Sequence, residues 1–143
     1  MEDLIREKIS ADHLLYVSFK YTKTCDVILN LILRWRKMIE RGIDYALKRS
    51  KEKKKISKIP ESPVGKIDLV KKLFSKNEDI MKVIEMYELF RKIESLPKER
   101  IGEFRKNVTL KVIYEGKEIN INTEKLKEYS DNLEKFVNTL KVL

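Results

Sequence analysis

The chain has 143 residues, 38% of them charged, and a net charge of +9 from 32 Lys and Arg against 23 Asp and Glu. That length suits one domain, 1–143, able to bury about two-thirds of its surface. One Cys and one His exclude an internal disulfide, a zinc ribbon, an HExxH pair and a His-rich metal cage, so no metal is expected. No GxGxxG, Walker loop or GxSxG elbow occurs, which removes the common nucleotide-binding and hydrolase classes and leaves no expected cofactor. Gln is absent and Lys, Glu and Ile abound, a bias that resembles thermophile usage.

From about Asp12 to Lys55 the chain reads as one long amphipathic helix. Leu14, Val17, Tyr21, Thr24, Ile28, Leu31, Trp35 and Met38 step by threes and fours, which holds them on one stripe, and Gly42 and Tyr45 continue it. No Pro or paired Gly interrupts the run before Pro60, and Ser10 or Asp12 offers an oxygen to cap its start. Leu15, Phe19, Leu29 and Leu33 fall off the stripe, so residues 14 to 35 are apolar almost all round. A rod with that much apolar surface needs helical partners. The expectation is a homodimer in which Leu14, Val17, Tyr21, Ile28, Leu31, Trp35 and Met38 meet a second copy. Lys20, Lys23, Asp26, Asn30 and Arg34 break the run too often for it to span a membrane. Glu2 and Asp3 stand where a signal peptide would be basic, so the expected location is cytoplasmic.

Beyond the rod, Ile59, Pro60, Glu61, Ser62, Pro63, Val64 and Gly65 read as a linker, which extends to a flexible basic stretch of about 51–65. Ile67, Val70, Leu73 and Phe74 then predict a short helix. Ser75 and Glu78 have capping-box spacing, which predicts another helix with Ile80, Val83, Ile84, Tyr87, Phe90 and Ile93 on its apolar face. From Val108 the period changes to two. Val108, Leu110, Val112 and Tyr114, then Ile119 and Ile121 beyond Glu115 and Gly116, predict a β-hairpin. Asn122 can cap a last helix carrying Leu126, Tyr129, Leu133, Phe136, Val137 and Leu140. The predicted fold is mainly α (α+β): a helical bundle built on one long N-terminal helix, with a β-hairpin before the C-terminal helix.

The positive charge is local. Arg34 to Lys76 holds fifteen basic against five acidic residues. Arg41, Lys48, Arg49, Lys51, Lys53, Lys54, Lys55 and Lys58 are the candidate nucleic-acid contacts, since each phosphate neutralised releases a counterion. Part of this run complements the negative end of the helix macrodipole. It carries no interleaved aromatics and little Arg, so contact led by charge rather than by base reading is expected, with RNA, DNA or an acidic protein partner.

Four smaller features complete the inventory. Cys25 reads as a small core residue. Ser18, Thr22, Asp26 and Asn30, spaced by four, read as a narrow polar face. Lys20, beside Val17 and Thr24 on the rod, reads as a stem that snorkels to water. Arg6 and His13, together with the Tyr87, Leu89, Phe90, Arg91, Lys92 segment and the long helices, resemble HEPN-type helical domains. That resemblance implies a helical dimer and, as an alternative function, an RNA-cleaving site with His13 as general acid or base and Arg6 steadying phosphate charge. The preferred expectation is a non-enzymatic homodimer that presents its basic segment. A HEPN-like ribonuclease or inactive relative, and a structural subunit of a larger complex, are the alternatives.

Overall fold

The helical run of the first half is divided in two. In the computed structural model, which describes residues 1–143, α1 (Glu2–His13) continues through a wider π-turn (Leu14–Ser18) into the short α2 (Phe19–Tyr21). The chain then reverses over Thr22–Thr24 into α3 (Cys25–Glu52), which brings Met1 and Leu4 beside Tyr45 and Arg49. A single helix from Asp12 to Lys55 is thus corrected. Ser10 and Asp12 lie inside α1, and the residue that starts the long helix is Thr24, whose Oγ1 accepts a hydrogen bond from the Val27 amide at 3.3 Å. Thr22 leaves the helical region (ψ 87°) and Thr24 is extended (ψ 157°), a conformation that suits a β-branched side chain, and Asp26 complements the helix start.

The π-turn has a packing cause. The buried residues Ala11, Leu15 and Phe19 are spaced by four, which drifts around a helix of 3.6 residues per turn. One wider turn offsets that drift, and both α1 and the π-turn pack on α3, while α6 spans Thr123–Lys141. Lys8 ties the same helix to its neighbours, reaching Asp12 at 2.8 Å and Glu134 of α6 at 2.7 Å.

The fold is mainly helical, an α+β bundle around the 28-residue α3, with the hairpin before the last helix. Ile28, Leu31, Trp35 and Met38 are all buried in the chain's own core. Trp35 stacks on Phe90 of α5 (Glu78–Lys92) at 6.3 Å between ring centroids and meets Tyr129 of α6 edge-on at 6.1 Å. These four stripe residues are therefore covered within one chain. Of the other three expected interface residues, Leu14 is half-buried while Val17 and Tyr21 are exposed.

Between the long helix and α5, the chain forms α4 (Pro63–Leu73), with Ser62 as its cap and Pro at its first position. The connecting segment 53–62 is anchored by Ile56 and Ile59 against the core. Asn77, rather than Ser75, caps α5 by accepting from the Ile80 amide at 3.1 Å. The hairpin is β2 (Thr109–Tyr114) and β3 (Lys117–Ile121), joined through Glu115 and Gly116, both at positive φ as a tight two-residue turn requires. A third strand, β1 (Lys98–Ile101), pairs antiparallel with β2 in the order β1-β2-β3. Its sequence KERI is exposed and has no apolar alternation, so the period-two signal is missing there. Asn122 caps α6 as expected, accepting from the Lys125 amide at 2.9 Å.

Candidate functional site

The basic residues are arranged around the C-terminal half of α3. Arg41, Lys48 and Lys51 recur at helical spacing on one exposed face, and Lys37, which the basic run did not single out, begins the same stripe one turn earlier. From Lys37 to Lys51 the stripe extends about 20 Å along the helix axis. Asp44, the one acidic residue interrupting it, is bound by Lys66 of α4 at 2.7 Å. The tertiary fold thereby neutralises the only carboxylate of the stripe.

Beyond Glu52 the helix ends in a Schellman turn. The Lys55 amide donates to the Ser50 carbonyl at 2.9 Å and the Lys54 amide to the Lys51 carbonyl at 3.0 Å, with Lys54 in the left-handed region at φ 61°. Lys53, Lys54, Lys55 and Lys58 are displayed there. They, with Lys48 and Lys51, are exposed and form no ion pair within 4.0 Å. Arg49 is different. Its guanidinium bonds Glu52 at 2.8 Å and the backbone oxygen of Leu143 at 2.9 and 3.2 Å, which fastens the end of α6's chain to α3. It is a structural member of the basic group.

Beside the stripe lies a cleft of about 300 Å³ whose lining includes Lys37, Arg41, Lys66 and Tyr87. The Tyr87 hydroxyl donates to Glu40 at 2.8 Å, and burial together with that carboxylate pushes its pKa well above the ordinary phenol value. Tyr87 therefore stays a neutral donor. Glu40 and Asp44 line the same cleft, the first bonded by Tyr87 and the second by Lys66, so its charge is mixed and Lys37 and Arg41 are its unpaired cations.

The opposite end of α3 is held by β1 and the loop that follows it. Glu103 accepts from the Cys25 amide at 3.2 Å, a carboxylate on the positive end of the helix, and Arg100 pairs with Asp26 at 2.7 Å. Cys25 is 1% exposed and its thiol donates to the Thr109 carbonyl at 3.3 Å. Burial, assisted by the Glu103 charge, raises the thiol pKa to about 11, which makes it a poor nucleophile and a core residue. The polar face of Ser18, Thr22, Asp26 and Asn30 does not form, because the reversal at Thr22–Thr24 separates Ser18 from Asp26. Lys20 is exposed, with its ammonium 6.0 Å from the Tyr21 ring centroid.

Arg6 and His13 are both exposed on one continuous helix, two turns and about 10 Å apart along the axis. Arg6 lies 3.9 Å from Asp3. The two side chains are not brought together within the chain. No group of three or more His, Cys, Asp or Glu converges at metal-binding distance, and no helix is long and apolar enough to cross a membrane. Compared with known proteins, the chain matches no family model, no curated protein and no solved structure.

Proposed function

We propose that the chain is a non-enzymatic binding protein that presents the α3 stripe and the turn after it to the phosphate backbone of RNA. The observation that supports this reading is the row of exposed, unpaired cations Lys48, Lys51, Lys53, Lys54, Lys55 and Lys58, continued by Lys37 and Arg41 past an Asp44 that Lys66 already occupies. Ion pairing elsewhere in the chain is extensive, so the scarcity of acidic partners here concentrates the net charge. No aromatic side chain interleaves with these cations. Recognition is therefore electrostatic and indifferent to base sequence.

The reading fixes a salt dependence. If about five phosphates of single-stranded RNA are neutralised, affinity falls about 100-fold between about 50 and 200 mM salt. Fluorescence anisotropy with a labelled RNA oligonucleotide measures this directly. Joint replacement of Lys53, Lys54 and Lys55 by Glu weakens binding by at least tenfold at low salt, and Lys37→Glu with Arg41→Glu weakens it independently. Circular dichroism serves as the folding control. Affinity that ignores salt, or survives both charge reversals, refutes the proposal.

A further inference from the structure

A cleft of about 330 Å³ opens between α5, the β2–β3 turn and α6. Small-molecule sites have volumes of about 300–1,000 Å³. Its apolar walls are Met86, Leu89 and Ile119, and it is also lined by two polar side chains of α6 that are more than nine-tenths buried, Tyr129 at 5% exposed and Asn132 at 9%. Three residues apart, they share one helix face. The chain leaves both with polar atoms unused. The Tyr129 hydroxyl has no hydrogen-bond partner, and burial together with the Glu128 charge pushes its pKa well above the ordinary phenol value, so it stays a neutral donor. The Asn132 Nδ2 donates to the Met86 thioether at 3.6 Å. A thioether accepts and never donates, so the nitrogen faces it and Oδ1 is left without a partner. Neither free oxygen is sealed from solvent.

Packing alone does not account for these atoms. A leucine at 132 and a phenylalanine at 129 would fill the same space with no polar group to satisfy, and Asn is a poor helix former besides. The Tyr129 ring is fixed edge-on against Phe90 at 5.1 Å and Trp35 at 6.1 Å, so its hydroxyl is held in place before any ligand arrives. At the rim, exposed Lys82 and Lys117 stand with exposed Glu85 and Glu115, while Lys125 pairs with Glu128 at 3.5 Å, so the lining has no net charge. An uncharged ligand suits it. We propose that this cleft binds a nucleobase of the adenine type, a flat neutral ring whose edge sets one amine donor for Asn132 Oδ1 beside one ring-nitrogen acceptor for the Tyr129 hydroxyl. The apolar walls meet the faces of such a ring, Met86 through the favourable contact of sulfur with an aromatic. Guanine would bring a carbonyl and a second donor that find no counterpart among these atoms. The balanced rim gives a phosphate no grip, in keeping with a sequence that carries no phosphate-binding loop, so the unit recognised is the base or its nucleoside.

The cleft is independent of the RNA reading, since none of its residues belongs to the basic row. With adenosine as the probe, proton–nitrogen correlation NMR gives saturable shifts at the amides of Leu89, Ile119 and Asn132, with a dissociation constant below about 1 mM. Purine riboside, the same molecule without the amine, binds at least about tenfold more weakly. Tyr129→Phe and Asn132→Leu each weaken adenosine binding by about tenfold or more while keeping or raising the melting temperature, because each removes polar atoms of which the fold makes little use. In Asn132→Leu the preference for adenosine over purine riboside disappears. Adenosine that gives no saturable shift at about 5 mM, purine riboside that binds as tightly, or variants that bind adenosine as well as the wild type overturn the proposal. A fall in the melting temperature of both variants also overturns it, because the two polar groups would then serve the fold.

Discussion

Gly42 of α3 faces Phe136 and Leu140 of α6. An alanine Cβ there would stand 2.5 Å from Cε2 and 2.7 Å from Cζ of Phe136, and 3.0 Å from Cδ1 of Leu140. Two effects oppose each other in Gly42→Ala. Helix propensity favours Ala over Gly by about 1 kcal/mol in mid-helix. Against it, the Phe136 ring would have to retreat by about an ångström in a densely packed core, and overpacking of that kind costs about 1–3 kcal/mol. Phe136 is 1% exposed and Leu140 fully buried, so neither has free space to enter. The clash wins. Gly42→Ala is expected to destabilise by about 1–2 kcal/mol, lowering the melting temperature by about 3–7 °C. In a Phe136→Leu background, which removes the ring atoms, the same substitution becomes stabilising by up to about 1 kcal/mol, giving a coupling energy of about 2 kcal/mol in a double-mutant cycle. Urea denaturation of the four proteins measures it. A stabilising Gly42→Ala in the wild type, or equal effects in both backgrounds, would refute the packing argument.

Two further outcomes follow from the backbone and from the buried thiol. Lys54 holds a left-handed conformation that costs an L-residue about 1 kcal/mol relative to Gly, so Lys54→Gly should raise stability by about that amount in urea melts, and a loss of stability would count against the Schellman turn. Cys25 titrates near 11 in the fold and near its ordinary value of 9.0 when unfolded. A raised folded pKa means that its contribution is complete below about pH 9 and is lost as pH climbs toward 11, an amount of about 2–3 kcal/mol. The stability difference between wild type and Cys25→Ala should therefore shrink over that window in parallel pH-dependent melts, and a constant difference would show that the thiol never feels its burial.

The helical segments were readable because each carries both a period and a punctuation mark. Ser62 and Pro63, which read as linker, cap and begin α4, whereas Asn122 before Leu126 announces α6 through local chemistry that the structure keeps. The Glu115–Gly116 turn did the same for the hairpin. The reversal at Thr22–Thr24 lacked such a mark. It contains no Gly or Pro, and by coincidence the spacing of Tyr21, Thr24 and Ile28 carries the apolar stripe across the break. Thr24 followed by Asp26 was the available signal, a capping residue with an acid in the first turn, and a Thr inside an apolar repeat conceals it. β1 was hidden for another reason: an exposed strand of alternating charge is stabilised by its ladder to β2 and leaves no hydrophobic trace.

The basic row was legible as a local surplus of lysine and arginine, which the structure divides between the last turns of α3 and the turn beyond Glu52. Its electrostatic character was not legible. Arg49 is occupied by Glu52 and the Leu143 oxygen, Asp44 is silenced by Lys66 from another helix, and Lys37 joins the stripe only because the helix is exposed on that side. What the sequence determined by itself is what depends on residues a few positions apart: helix period, caps, the hairpin turn and the surplus of lysine. What the tertiary structure alone decided is which apolar surface is covered and which charge is left free, because burial and ion pairing join residues distant in the chain, as Trp35 meets Phe90 and Tyr129 while the first helix's outer face meets nothing.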